Sequence, residues 1–364
     1  MLEAEVMRPS ALGASERAAW SAMVKADPEL HRAFFAPGFA LACEMAHGRA
    51  WVGVLHEGGR VCGFFPFQFA SNWHAKLRLA EGLGGGFADN TGLIAEAGFR
   101  IAPSALLRLC RLGQLFIAEL SEAQHGFGLD ASEWRDGYLI ELVGGSDGYL
   151  AALASRHRDW VQNTRRKQRK VAREIGPLHL RRESRPSAAA LAPLIMAKRE
   201  QYRRTGAPDP FVLPHRLRLL EAVSSRTEPD CAAELATLFA GERVIAQHLG
   251  LTCHGVLSWW FPVYNPDLGK FSPGRLLLWQ MIADAETSGL RAIDCGEGNQ
   301  DYKRLFSTHR VRYGRANWSA GTWRTVVARA WQIAEWRLGR RRRSAQAAQP
   351  GAGLASPAVS GREA

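Results

Sequence analysis

The segment FSPGRLLLWQMIADAETSGLRAIDCGEGNQDYKRLF, residues 271–306, decides the fold. It opens on the turn Ser272-Pro273-Gly274. Apolar residues then recur at intervals of three and four, a pattern that predicts a helix over residues 275–288. A short buried strand over residues 292–294 and a second short helix over residues 302–306 are predicted next. The segment therefore predicts the order helix, strand, helix.

Three strands are predicted ahead of this segment. Residues 235–240, 244–252 and 256–264 are rich in β-branched and aromatic residues and are separated by turn signals, so hairpins join them. A last strand over residues 311–318 completes the order β-β-β-α-β-α-β.

The N-terminal half repeats this order more faintly. Residues 50–56 and 61–70 form a predicted hairpin, residues 103–121 a helix and residues 138–143 a strand. A duplicated pair of α/β lobes explains the repeat better than one large sheet.

Composition favours a globular protein of two domains. The chain has 364 residues, 46% of them hydrophobic and 23% charged, which is enough apolar surface for a sizeable core and argues against global disorder. No secretory leader and no membrane-spanning run are predicted, so we expect a cytoplasmic protein. The six cysteines have no metal-ligand spacing, and we expect buried thiols and no bound metal.

The net charge of +12 is concentrated in two stretches. Residues 156–173 carry eight Arg and Lys against one acid, Asp159. Residues 337–343 form a second basic run beside Trp331 and Trp336, so peripheral membrane contact is predicted there. Such patches favour anionic partners: phosphates, lipid headgroups or nucleic acid.

Residues 271–306 resemble the GNAT-fold acetyltransferase domain of the CelD-like family, which is linked to cellulose and exopolysaccharide synthesis. The shared pattern is Ser-Pro-Gly, an apolar helix, a Gly-terminated turn, a strand-end Asp, Gly-x-Gly and Tyr-Lys. The basic run from Asn163 to Lys170, followed by Gly176, resembles the inter-lobe segment of that family. More distantly, the doubled lobe resembles the FemAB-type peptidoglycan aminoacyltransferases. The resemblance covers about residues 30–320.

The resemblance implies an α/β (α+β) fold of two tandem GNAT-like lobes with a basic inter-lobe helix. The expected parts are an N-terminal GNAT-like lobe (1–150), the basic helix (151–180), a C-terminal acetyltransferase lobe (181–338) and a disordered tail (339–364). It also implies acetyl-CoA or another acyl-CoA as co-substrate, with a saccharide, nucleotide-sugar or lipid-linked acceptor in polysaccharide biosynthesis.

Ser272, Gly274 and Arg275 are the candidate residues for binding the donor. The first amides of a helix have no internal partners, and the helix dipole places partial positive charge there, so such a turn can hold a pyrophosphate. The resemblance implies that the pyrophosphate of acyl-CoA lies at this turn. The alternative is an ordinary helix N-terminus with Ser272 as its cap.

Polar residues just beyond the predicted strand at 292–294 are candidates for catalysis. Asp294 can orient a substrate hydroxyl or amine, and Lys303 can neutralise a phosphate or a developing oxyanion. Glu297 and Tyr302 are expected to contact the substrate. The alternative is an Asp that caps the next loop and a Lys that pairs with it.

His248, in the second of the three predicted strands, is the candidate general base. Its side chain titrates near neutral pH, as deprotonation of an acceptor hydroxyl or amine requires. A single His in a strand is also compatible with a core position.

Three further residues are expected to bind the substrate. The resemblance implies that Asp89, which follows the glycine run at residues 82–86, lines the cleft between the lobes and that Trp73 contributes an aromatic wall. Arg166 of the basic helix can hold a phosphate-bearing substrate through bidentate contacts, the alternative being a solvated helix face.

Two other functions stay open at this point. An aminoacyl-tRNA-dependent transferase would use the basic helix for RNA and would bind no CoA. The third hypothesis is a nucleic-acid-binding protein. The absence of zinc-ligand spacing, of a helix-turn-helix and of an RRM-type aromatic motif in the sequence argues against it.

Overall fold

The polypeptide is seen here in a computed structural model that describes residues 1–226, 228–298 and 300–321. Its strands are β1 (Leu2–Met7), β2 (Ala50–Glu57), β3 (Arg60–Gln68), β4 (Leu79–Gly82), β5 (Ile94–Ala95), β6 (Gln114–Ser121), β7 (Glu133–Glu141), β8 (Leu178–Ser184), β9 (Ala232–Ala240), β10 (Arg243–Cys253), β11 (Val256–Tyr264), β12 (Ala292–Glu297) and β13 (His309–Ser319). Its α-helices are α1 (Ala14–Ala26), α2 (Pro37–His47), α3 (Asn72–Leu77), α4 (Pro103–Leu109), α5 (Gly145–Arg156), α6 (Arg158–Glu174), α7 (Ala188–Thr205), α8 (Pro214–Ser224), α9 (Pro273–Ala283) and α10 (Asp301–Phe306).

The strands of these residues form one mixed sheet in the order β1-β2-β3-β4-β6-β13-β7-β12-β11-β10-β9-β8, with β5 paired to β3. Hairpins join β2 to β3 and β9 to β10 to β11 in antiparallel register. Two pairs, β4 with β6 and β11 with β12, are parallel, and each is connected through a helical segment, as parallel strands require.

The chain repeats its elements in two halves. Each half contains a strand, two helices, three strands, a helix and two strands, from β1 to β7 and from β8 to β13, if the small elements α3, β5 and α10 are set aside. The last strands cross between the halves: β13 lies between β6 and β7, and β7 lies beside β12. The sheet is therefore continuous through both halves, and the fold is a mixed α/β fold of the GNAT-like kind. The predicted lobe boundaries remain predictions.

Buried side chains form two clusters. One includes residues of α1, α2, α7 and α8, and the other includes residues of α5, α6, α9 and α10. Strand β11 sends Trp259 to the second cluster and Trp260 to the first, as the alternation of side chains along a strand requires. The two clusters therefore pack on opposite faces of the sheet.

Most predicted elements of the C-terminal half are confirmed, including the order β-β-β-α-β-α-β from β9 to β13. The helix predicted over residues 275–288 begins at Pro273 and ends at Ala283, because turns replace it before Gly289, which has φ of 66°.

The helix predicted over residues 103–121 is wrong. Helix α4 ends at Leu109, and residues from Gln114 onward form strand β6 between β4 and β13. Arg111 has φ of 54°, a left-handed conformation that a continuing helix does not contain. The apolar residues of this segment satisfy helical spacing up to Leu109 and strand spacing after Gly113, and the prediction merged the two.

All six cysteines are free and buried, as predicted. No helix among the described residues has the length and apolarity needed to cross a bilayer. The basic run at 337–343 and the predicted tail at 339–364 lie outside the described residues.

Candidate active site

The parallel strands β11 and β12 separate soon after they pair. Val256, Leu257 and Ser258 pair with Ala292, Ile293 and Asp294, and no further pairs follow. From Trp259 onward, β11 faces an open gap on its β12 side. No neighbouring strand takes hydrogen bonds from β11 at this gap, but side chains already bond the Trp260 N–H and the Pro262 carbonyl. The remaining backbone groups are available to an extended ligand.

A cavity of about 850 Å³ fills this gap, which we call the fork cavity. Its walls come from the ends of β11 and β12, the start of α9, and residues of α6, α7 and α10, with Asp89 and Glu119 from the N-terminal half. The lining residues used below are Asp89, Glu119, Trp160, Lys198, Gln201, Pro262, Ser272, Gly274, Arg275, Gly296, Glu297, Tyr302 and Lys303. The volume lies within the range of small-molecule sites.

The turn at the start of α9 opens into the fork cavity, and Ser272, Gly274 and Arg275, the residues predicted to bind the donor, line it. Ser272 has φ of 56° and makes no side-chain cap, so the interpretation of Ser272 as an ordinary cap is wrong. Its Oγ instead accepts a hydrogen bond from Lys167 Nζ at 2.7 Å. The first amides of α9 therefore face the cavity uncapped by a side chain.

Gly274 leaves space at this turn. A Cβ built on it would meet only Tyr264 Cδ1, at 3.8 Å. The protein's own packing does not require a glycine here, and the absent side chain keeps the backbone open to a ligand.

Positive charge surrounds the same turn. The Arg275 guanidinium lies 5.0 Å from the Trp160 ring and donates to Asn163 Oδ1 at 2.9 Å. Burial lowers the pKa of Arg275 and of Lys167, and repulsion from Arg275 adds to the effect on Lys167. An anion bound at the turn would stabilise the charged forms of both Arg275 and Lys167.

Asp89 also lines the fork cavity. Burial raises the pKa of Asp89 to about 8, reinforced by the charge of Asp294 and opposed by Lys303. Gly296, which has φ of 64°, lies beside this carboxyl group: a Cβ built on it would be in ordinary contact with Asp89 Oδ2, at 3.5 Å. The pKa of the Asp89 carboxyl group is therefore close to neutral pH, as a general base requires.

Glu119 and Glu297 share one cation on the same wall. Arg135 bonds both carboxylates, with 3.2 Å from Nη2 to Glu119 Oε1. Burial raises the pKa of Glu119 to about 7, although Arg135 opposes the shift. Glu297 thus lines the cavity as predicted, with its charge compensated.

Two lysines stand on opposite walls. Lys303 of α10 donates to the carbonyl oxygens of Cys295 at 2.6 Å and Glu297 at 2.9 Å, both on β12. Lys198 of α7 donates to Pro262 O on β11 at 3.1 Å. Burial lowers the pKa of Lys198 to about 8, with repulsion from Lys303 second. Each strand of the fork is held by one lysine.

Asp294 does not line the fork cavity. Its carboxylate accepts from Arg32 Nε at 2.9 Å, the Tyr313 hydroxyl at 2.6 Å and the Gly296 amide at 2.9 Å. Burial opposes ionisation, but the Arg32 guanidinium and these hydrogen bonds hold the pKa of Asp294 below its usual value. Both oxygens are bonded within the protein, so Asp294 has a structural environment and not the predicted one, in which it orients a substrate hydroxyl or amine.

His248 lies inside the protein and does not line the cavity. Its ring stacks on Trp259 with centroids 4.0 Å apart, and its Nε2 accepts the Trp260 backbone N–H at 3.1 Å. Burial lowers the pKa of His248 well below its usual range. The structure thus places it in the core, the alternative position that the sequence allowed.

Two predicted substrate contacts also lie elsewhere. Trp73 is 66% exposed on α3, and the aromatic walls of the cavity come from Trp160, Trp259 and Trp260. Arg166 lies on the outer face of α6, where it lines a separate surface groove with Arg165 and others. Tyr302 does line the cavity and accepts from Trp259 Nε1 at 3.3 Å.

Lys198, Gln201 and Glu119 line the cavity but were missed in the sequence. Helix α7 supplies the first two, and its signal was present: Ser187 caps it, and Leu191, Leu194 and Lys198 recur at helical spacing. Glu119 was hidden because its strand was predicted as helix. Among the described residues, no group of three His, Cys, Asp or Glu side chains is arranged to hold a metal ion.

Residues 155–304 match the model of the acetyltransferase (GNAT) domain family. No curated protein matches the sequence.

Solved structures of similar fold include FemX, with 13% identity and a TM-score of 0.57 over 86% of this chain and 97% of that one. A second is the C-terminal domain of a putative lysylphosphatidylglycerol synthetase from Agrobacterium fabrum, with 12% identity and a TM-score of 0.51 over 88% and 96%. A third is a conserved protein of unknown function from Bacteroides thetaiotaomicron, with 8% identity and a TM-score of 0.50 over 86% and 99%. At these identities the likeness concerns the fold. The family match and the fold together make the protein an acyltransferase that carries a GNAT acetyltransferase domain in residues 155–304.

Proposed function

We propose that the protein transfers an acyl group from acyl-CoA to a hydroxyl or amine of a saccharide or lipid-linked acceptor, in polysaccharide biosynthesis. The observation that carries this proposal is the start of α9, which opens into the fork cavity with uncapped amides, an unencumbered Gly274 and the cations Lys167 and Arg275. A pyrophosphate is the ligand chemistry that such a helix start binds.

The fork itself suits the arm of the donor. Pantetheine is an extended chain with two amide groups, and the edge of β11 offers it the backbone groups that side chains do not already bond, which excludes the Trp260 N–H and the Pro262 carbonyl. Its path from the α9 turn along β11 leads to the end of the cavity where Asp89, Lys198 and Lys303 lie. The thioester then sits next to a titratable carboxyl group.

Asp89 is the proposed general base. The acceptor oxygen or nitrogen attacks the thioester carbon while its proton passes to the Asp89 carboxylate. The C–S bond then breaks, the CoA thiolate leaves with the electron pair, and Asp89 returns the proton to the sulfur. A base with a pKa near 8 is well matched to this exchange, because it accepts and releases a proton near neutral pH.

The competing donor is an aminoacyl-tRNA. One observation favours it: Arg165, Arg166 and Arg169 line an exposed groove of about 420 Å³ on α6, next to the residues that hold Arg275. RNA backbone phosphates would bind such a row of arginines in a strongly salt-dependent way.

Thermal unfolding in the presence of each donor separates the two. We expect acetyl-CoA at one hundred times its Kd to stabilise the protein by about 2.7 kcal/mol, with thiol release once an acceptor is added. Charged tRNA at 0.15 M salt should give neither effect. Stabilisation by charged tRNA alone would transfer the assignment to the aminoacyl route, and stabilisation by neither would contradict both.

A further inference from the structure

Lys198 and Lys303 are buried cations whose known bonds go to backbone carbonyl groups. Each side chain is 8% exposed, and both line the fork cavity from opposite walls. An ammonium group has three N–H donors. Among the described residues, Lys198 uses one of them, toward Pro262, and its ammonium group also lies 5.4 Å from the centre of the Tyr202 ring; Lys303 uses two, toward Cys295 and Glu297. Donors of both lysines thus remain for a ligand.

The charge of this region is positive at neutral pH. Asp89 is the acid that attracts Lys198, and its pKa of about 8 means that it is mostly protonated at pH 7. Glu119 and Glu297 are bonded to Arg135, and Asp301 is paired with Arg304. The two ammonium groups are therefore left without a neutralising carboxylate.

Holding strand carbonyls does not account for two buried ammonium groups. Burying a charge without a counter-ion is costly, and a neutral donor such as an Asn amide makes the same bonds to a carbonyl. An anion bound between the lysines would offset the cost of burying their charges, because each ammonium group would then make a charge-assisted hydrogen bond.

Gln201 adds a neutral contact beside them. It lies three residues after Lys198 on α7, so both side chains share one helix face, and both line the cavity. Its Oε1 is buried and has no hydrogen-bond partner among the described residues. A ligand hydroxyl next to the anionic group would donate a hydrogen bond to this oxygen.

We infer that the acceptor substrate carries an anionic group, a carboxylate or a phosphate, that binds between Lys198 and Lys303 with a neighbouring hydroxyl on Gln201. An acidic or phosphorylated sugar has this chemistry. The inference rests on the proposed function, because it names the acceptor of the same cavity.

The test is calorimetric titration of the full chain saturated with CoA. The probes are glucuronate, glucose 6-phosphate and glucose. Each is measured on the wild type, on Lys198→Met, on Lys198→Arg and on Lys76→Met, whose lysine is exposed on α3. We expect the anionic sugars to bind the wild type at least about ten-fold more tightly than glucose, the equivalent of one charge-assisted bond. Lys198→Met should abolish this preference, while Lys198→Arg and Lys76→Met keep it.

The outcomes separate the two proposals. Failure of the wild type to bind CoA would overturn the proposed function. CoA binding without a preference for either anionic sugar, or with a preference that survives in Lys198→Met, would overturn the anionic acceptor. If Lys198→Met does not fold, Lys303→Met is measured in its place, and a preference for the anionic sugars that survives in that variant would overturn the anionic acceptor.

Discussion

At the scale of single residues, Asp89 carries the proposed chemistry. Its ordinary pKa near 3.8 is raised to about 8, so the unprotonated base becomes more abundant as pH rises to that value. We expect kcat/KM to increase about ten-fold per pH unit from pH 6 to pH 8 and then to level off. Asp89→Asn should lower kcat by about 10²-fold or more and remove the rise. Steady-state rates between pH 5.5 and 9 measure both effects.

The stability of the same variant is its control. Below pH 4 both folded and unfolded chains hold the Asp89 proton, but between about pH 4 and pH 8 only the folded chain does, so the wild type loses stability as pH rises through that window. Asp89→Asn lacks this loss. Its Tm should therefore exceed that of the wild type increasingly up to pH 8. An unchanged rate profile together with an unchanged Tm difference would show that Asp89 is an ordinary exposed carboxylate.

Residues of the site were only partly predictable from the sequence. Ser272, Gly274 and Arg275 were found because a turn that opens a helix has a local signature. His248 and Asp294 have suitable chemistry, but their roles depend on what surrounds them: Trp259 for His248 and Arg32 for Asp294. Arg32 is 262 residues away from Asp294 in sequence, and no local pattern indicates such a contact.

At the scale of elements, the start of α9 is the proposed donor-binding element. Gly274→Val would place a branched side chain where only Tyr264 lies within 4 Å, on the side that opens into the cavity. We expect the Kd for CoA to rise at least about ten-fold, as the loss of one phosphate hydrogen bond requires. The Tm should change little, because a valine costs less than 1 kcal/mol in a helix, about the same as the glycine it replaces.

Gly126→Val is the matched control for that element. A Cβ at Gly126 has open space around it, and Gly126 does not line the fork cavity. Its Kd for CoA should equal that of the wild type. Equal weakening in both variants would point to a general effect on folding and against phosphate binding at the α9 turn.

Helices and strands were predictable from the sequence where one spacing of apolar residues holds throughout the element. Strands β9, β10 and β11 are separated by short turns, and the hairpin order was clear from the sequence. Residues 103–121 change from helix to strand within five residues, between Leu109 and Gln114, and a single periodicity could not describe both. Helix α7 went unrecognised although its cap and apolar spacing were present.

At the scale of the whole molecule, a buried cluster ties the two halves together beneath the cavity. Asp294 of β12 bonds Arg32 and is 3.5 Å from Asn90 Nδ2 in the first half, and it also bonds Tyr313 of β13, the strand that crosses over. The same Asp294 amplifies the pKa shift of its neighbour Asp89. Asp89, the proposed base, therefore lies against the end of β12 in the other half.

This arrangement lay beyond the sequence. The repeat of elements was visible, but the exchange of β7 and β13 between the halves is a matter of which strand pairs with which, and equivalent strands offer equivalent patterns. The continuous sheet that results is the feature that the prediction of two separate lobes did not anticipate.

The most direct test of the account is a crystal structure of the full chain with CoA. We predict density for the pyrophosphate at the amides of Gly274 and Arg275, and for the pantetheine arm in the fork between β11 and β12 with its thiol at the end of the cavity that holds Asp89. CoA bound at another surface, or a fork closed by the side chains of its own walls, would contradict the account.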